Sequence, residues 1–119
     1  MGGSGYSEFA EYITTKKMVP IGVTSETRLK GIDVPTLKEQ GVNVVIGNWR
    51  GVYGAPGITA DQRKALIDMI VKATKTKAWA ESLDKNGWTP ALLTGAEFEK
   101  FVDDEFASLR AVMAKSGMI

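Results

Sequence analysis

Few side chains in this sequence can carry reaction chemistry. It contains no His and no Cys. That excludes Ser-His-Asp and Cys-His triads, the two-histidine zinc helix, thiolate metal sites, iron–sulfur clusters and the commonest general base near neutral pH. Carboxylates are the acid–base groups left. Asp103 and Asp104 are adjacent, and neighbours on a helix diverge by about 100°, so they cannot share a proton on one substrate. A solvated helix face is the reading they support. Glu97, Glu99 and Glu105 read as capping and surface charge, and no acidic run has calcium-loop spacing. The residues therefore point away from an enzyme, with no metal and no cofactor expected.

Anion and nucleic-acid chemistry is also thinly represented. Gly51-Val52-Tyr53-Gly54-Ala55-Pro56-Gly57 is dense in glycine and precedes a helical pattern, where a phosphate cradle would sit. It lacks the Gly-Lys-Ser/Thr ending of a P-loop and the Gly-x-Gly-x-x-Gly of a dinucleotide fold, so a turn needing a positive φ is favoured. Arg63, Lys64, Lys72, Lys75 and Lys77 are spread round one helix as a solvated face. With 15 Lys plus Arg against 14 Asp plus Glu, the net charge of +1 provides no basic footprint for nucleic acid. Trp79 and Trp88 read as core residues, whereas Trp49 stands between Asn48 and Arg50 at the approach to the glycine-rich turn.

Start and stop signals define the elements that must position these groups. Ser7 can cap a short helix carrying Phe9, Tyr12 and Ile13 and ending near Lys16. Met18 to Thr24 reads as a strand interrupted by Pro20. Thr36 and Glu39 have capping-box spacing for a short helix that Gly41 stops. A second strand is expected from Val44 toward Tyr53. Thr59 and Gln62 repeat the capping box ahead of an apolar stripe of Ala65, Leu66, Met69, Ile70 and Ala73. Thr76 caps a further helix that Asn86-Gly87 ends, and Trp88 to Leu93 reads as a third strand, broken by Pro90. Thr94 and Glu97 then open a terminal helix with Phe98, Phe101, Val102, Leu109, Val112 and Met113 on one face, ending at Gly117.

This alternation predicts an α/β fold. The 119 residues suit one domain, and 44% hydrophobic content is that of a globular chain. Three strands, two carrying proline, are too few to cover a sheet's faces and edges. The chain is thus expected to be part of something larger, or one protomer of an assembly. No run of about 18 apolar residues exists to span a membrane, and Met1 to Gly5 has neither the basic start nor the apolar run of a secretory leader.

Three segments in order carry a specific resemblance. They are Lys17–Thr24 with Ser25-Glu26-Thr27-Arg28, then Asp33-Val34-Pro35-Thr36-Leu37-Lys38-Glu39-Gln40-Gly41, then Trp49-Arg50-Gly51-Val52-Tyr53-Gly54-Ala55-Pro56-Gly57-Ile58-Thr59. Together they resemble the tripartite tricarboxylate transporter substrate-binding proteins, the Bug family. The likeness covers nearly the whole chain but only the C-terminal part of a full-length member.

The resemblance implies part of a type II periplasmic-binding-protein fold: two-lobed α/β, present here as an incomplete sheet with flanking helices. Residues 1–43 resemble the end of the second lobe and the crossover, and 44–119 the C-terminal return into the first lobe. The implied function is a periplasmic receptor that closes round a small carboxylate solute and presents it to membrane transporter subunits. Helix N-termini and backbone amides would grip the anion without His or Cys. Thr24, Ser25, Trp49 and Arg50 are the ligand-binding candidates carried over. Most family contacts come from the first lobe's opening strand and loops, so this chain alone is expected to bind solute poorly. The alternative is a structural or interaction domain that forms a homo-oligomer through exposed sheet edges.

Overall fold

A computed structural model describes residues 1–119. Four helices hold a little under half of them: α1 (Tyr6–Thr14), α2 (Ala60–Thr74), α3 (Lys77–Asn86) and α4 (Gly95–Lys115). Two units divide the chain, Met1–Val52 with α1 and Tyr53–Ile119 with α2 to α4.

In the first unit, α1 begins two residues earlier than Ser7 would place it. Gly5 is its N-cap, and the Glu8 carboxylate reaches back to accept from Gly5 N–H at 2.8 Å and from the Ser4 hydroxyl. Those two donors, with the Arg50 charge, hold the Glu8 carboxyl below its ordinary pKa. The helix stops where Lys16 turns left-handed at φ 58°. Lys17 N–H then donates to Tyr12 O at 2.8 Å, and Lys16 N–H to Ile13 O at 3.0 Å, which is a Schellman terminator. The same pair of bonds ends the turn at Gly41, α3 at Gly87 and α4 at Gly117. Only α1 uses a residue with a Cβ for it, at a steric cost glycine does not bear. Lys16→Gly is therefore expected to raise the stability of α1 by about 0.5–1 kcal/mol. Slower exchange of the Lys17 and Met18 amides would register the gain, and unchanged exchange would refute it.

The expected short helix at Thr36 is initiated and immediately ended. Both capping-box bonds form: Glu39 N–H donates to Thr36 Oγ1 at 3.0 Å and Thr36 N–H donates to Glu39 Oε2 at 2.8 Å. Val42 N–H already closes the turn on Leu37 O at 2.9 Å. One turn between two caps is a nucleus with no room to propagate.

The three expected strands do not form, which corrects the incomplete α/β sheet. A single parallel bridge joins Val23 to Thr36, with Val23 N–H on Pro35 O at 3.0 Å and Leu37 N–H on Val23 O at 2.9 Å. Its neighbours show why it stays single. Extension one way needs an N–H that Pro35 lacks to reach Ile21 O, and the Gln40 side-chain amide serves that carbonyl instead, at 3.0 Å. Extension the other way needs Leu37 O, which Gln40 and Val42 N–H already occupy. Gly22 allows this close approach, because a Cβ there would stand 2.9 Å from both Gln40 Nε2 and Leu37 Cδ2. Val44 to Tyr53 forms no ladder, its backbone bond to the Val23 segment being Ile46 N–H to Thr24 O at 2.9 Å, and Trp88 to Leu93 pairs as no strand. The alternative of association through sheet edges loses its basis with the sheet.

In the second unit the Pro56-Gly57 turn, with Gly57 at φ 83°, leads into α2. The Thr59/Gln62 capping box is complete, at 3.1 Å to Thr59 Oγ1 and 2.9 Å to Gln62 Oε1. Thr76 Oγ1 caps α3 by accepting from Trp79 N–H at 3.2 Å. The third capping box does not form: Gly95 starts α4 at φ 57°, and Thr94 makes no side-chain cap.

Helix faces also depart from the sequence reading. On α2 the half-buried residues are Ile67, Ile70, Val71 and Thr74, so of the expected stripe Ile70 is covered while Ala65, Leu66, Met69 and Ala73 lie exposed. Met69, Leu66 and Ala65 line a shallow apolar groove with Ile58 and Gln62. On α4 the half-buried side carries Phe98, Phe101, Val102 and Met113, while Phe106, Leu109 and Val112 are 66%, 61% and 59% exposed. The Tyr53 and Phe98 rings meet at 5.6 Å, and Arg63 of α2 pairs with Glu99 of α4.

Only Val34 at 5% and Thr36 at 1% exposure are buried in the whole chain. Its accessible surface is 9961 Å². A folded monomer of this size exposes about 6,300 Å², and two independent folded halves would together expose about 7,600 Å². The excess is apolar side chains without a core.

Candidate functional site

All four ligand-binding candidates fall in the first unit. Thr24 follows the bridge residue Val23 and is held to Ile46 twice: its Oγ1 donates to Ile46 O at 2.8 Å, and its carbonyl accepts from Ile46 N–H at 2.9 Å. Ser25 is half-buried and its hydroxyl donates to Thr27 O at 2.7 Å. Both hydroxyl protons are thereby used within the chain, which leaves the oxygens as acceptors. To donate to a solute carboxylate, either hydroxyl must first turn from its carbonyl. Trp49 is half-buried and Arg50 exposed, three and four residues beyond Ile46. The Arg50 charge acts on Glu8. The bond pair at Ile46 thus ties the loop that begins at Thr24 to the segment leading into the glycine-rich turn.

Sequence reasoning missed the strongest polar network in this unit. Arg28 lies along the Glu39 carboxylate, with Nε 2.9 Å from Oε1 and 3.1 Å from Oε2, and its Nη1 donates to Asp33 Oδ1 at 3.0 Å. Glu39 is also the capping carboxylate of Thr36. The Thr36 N–H first, and then Arg28, hold the Glu39 carboxyl below its ordinary pKa. Lys38 pairs with Glu26 alongside. The guanidinium of the Ser25-x-x-Arg28 motif is therefore committed to two protein carboxylates, which leaves it no role as a solute grip in this conformation. Both parts, the Ser25-x-x-Arg28 turn and the Thr36/Glu39 box, are legible in the sequence. What joins them is the bridge that sets residues 23 and 36 side by side.

The network binds the first two of the three resemblance segments to each other. The family model for the tripartite tricarboxylate transporter family receptor matches residues 6–118. The chain belongs to this receptor family. No curated protein and no solved structure matches it. Receptors of this family are periplasmic solute-binding proteins that work with membrane transporter subunits, and theirs is not an enzyme family. No helix of this family member is long and apolar enough to cross a membrane. The resemblance and the match coincide from α1 through α4, so the motifs that point to the family sit in residues the match includes.

Proposed function

We propose that this chain is the C-terminal portion of a periplasmic receptor that captures small carboxylates for a tripartite tricarboxylate transporter. Residues 1–43 belong in this reading to the end of the second lobe and the crossover, and 44–119 to the return into the first lobe. The observation that carries it is the surface. A family match over residues 6–118 coexists with 9961 Å² of accessible area and two buried residues. A chain of this composition needs further polypeptide against its apolar faces to form a core, and the remainder of a two-lobed receptor supplies it.

Thr24, Ser25, Trp49 and Arg50 are the residues of this portion that would face the solute. Arg50 offers a planar fork of donors suited to a carboxylate, and Trp49 a half-buried apolar wall beside it. The two hydroxyls join only after exchanging their present carbonyl acceptors for the solute, which limits their net contribution to about 1 kcal/mol each. Such a set is too weak alone.

Calorimetry tests the reading. The chain titrated with C4 to C6 dicarboxylates is expected to give a Kd weaker than about 1 mM, while the full-length receptor binds tightly. Micromolar binding by the chain alone would refute the assignment of the main grip to the remainder of the receptor.

A further inference from the structure

We propose that Arg28, Glu39 and Thr36 form a titratable clasp that sets the position of the Thr24–Arg28 loop and, through it, of the segment at Ile46. This goes beyond solute capture and holds or fails on the chain alone. The clasp closes on both sides of one carboxylate. Arg28 meets both Glu39 oxygens, and Thr36 N–H donates to Oε2. Thr36 is the most deeply buried residue of the chain, and its neighbours Pro35 and Leu37 supply the two bonds to Val23. The residue after Val23 is Thr24, bonded twice to Ile46. Glu39 is therefore joined to Ile46 by consecutive backbone contacts through residues 36, 23 and 24, with almost no apolar core to hold them otherwise.

The charges around Glu39 make the clasp depend on its ionisation. Arg28 faces it from the loop, and Asp33 takes the other edge of the same guanidinium. Lys38 lies next in sequence and is held by Glu26. A proton on Glu39 removes the charge facing Arg28 and weakens the acceptor of Thr36 N–H. The loop is then released from the 36–41 turn. The sign is fixed by the lowered Glu39 pKa. The folded carboxylate holds its proton less tightly than the unfolded one, so the clasp is complete above the ordinary glutamate range and opens as pH falls through the lowered value.

The test is an amide NMR titration of the chain from neutral to strongly acidic pH, with α2 amides as the control for folding. Thr36 and Ile46 are expected to shift with one common midpoint, below the ordinary glutamate range. Glu39→Gln is expected to abolish that midpoint at both residues, and Asp33→Asn to leave it in place. Arg28→Lys, which keeps the charge but loses the two-pronged contact, is expected to raise it. Three results would overturn the proposal: Ile46 titrating independently of Thr36, Ile46 keeping its midpoint in Glu39→Gln, or an Ile46 amide already at its random-coil position at neutral pH.

Discussion

In the full-length receptor the amides of α4 are expected to exchange at least a hundredfold more slowly than in this chain alone. Helices draw most of their protection from the tertiary packing of an apolar face, since propensity alone leaves even a long helix marginal in water. Twenty-one residues form α4 and none of them is buried. Phe106, Leu109 and Val112 extend its apolar side into solvent, and with Met113 and Ile119 the first two of these border a groove near its C-terminal end. A hundredfold in protection corresponds to about 2.7 kcal/mol of added local stability. That is no more than fully covering one or two large apolar side chains supplies. Hydrogen exchange read by mass spectrometry on both proteins decides it. Equal protection would mean that α4 is already as stable as it becomes, and the exposed apolar face would need another explanation.

Replacing Thr36 is expected to have the largest effect of any single substitution in the first unit. Its hydroxyl caps Glu39 N–H, and its side chain fills the most buried position of the chain. Thr36→Val keeps the shape and removes the cap, at an expected cost of about 1 kcal/mol; Thr36→Ala also vacates a buried methyl position, for a total of about 2 kcal/mol. Urea unfolding followed through the first-unit amides measures both. A Val variant as stable as the parent would show that the hydroxyl contributes nothing to the turn. Thr59 supplies the comparison in the second unit. It makes the same capping bonds at the head of a fifteen-residue helix, so Thr59→Ala is expected to cost about 1 kcal/mol.

The pair also shows what capping signals mean. The spacings at Thr36/Glu39 and Thr59/Gln62 both produce the bonds expected of them, yet only the second opens a helix. Gly41 ends the first within a turn, whereas α2 runs to Thr74 before a stop intervenes. At Thr94/Glu97 the same spacing fails, because Gly95 takes a left-handed φ that no side chain reveals in advance. Helix ends were the most legible feature. Gly41, Gly87 and Gly117 all occupy the left-handed stop, and Lys16 does so without being glycine.

Strands were the least legible, and particular atoms account for it. Met18 to Thr24 has the β-branched, apolar character of a strand, but a ladder depends on the partner's donors and acceptors. Pro35 has no N–H to give, and Leu37 O is already taken by the turn it begins. Neither fact belongs to the strand segment itself. The apolar stripe on α2 holds only at Ile70, for a related reason: the helix carries apolar residues on two faces, and periodicity does not say which one meets its own chain.

The family, the positions of the four helices and the absence of His or Cys chemistry followed from the order of residues alone, because caps, stops and motif spacing act over a few neighbours. Whether apolar runs pair into a sheet, which helix face is covered, and that Arg28 is bound to Glu39 eleven residues away were decided only in three dimensions. Each depends on groups distant in sequence competing for the same hydrogen-bond partner or the same apolar surface.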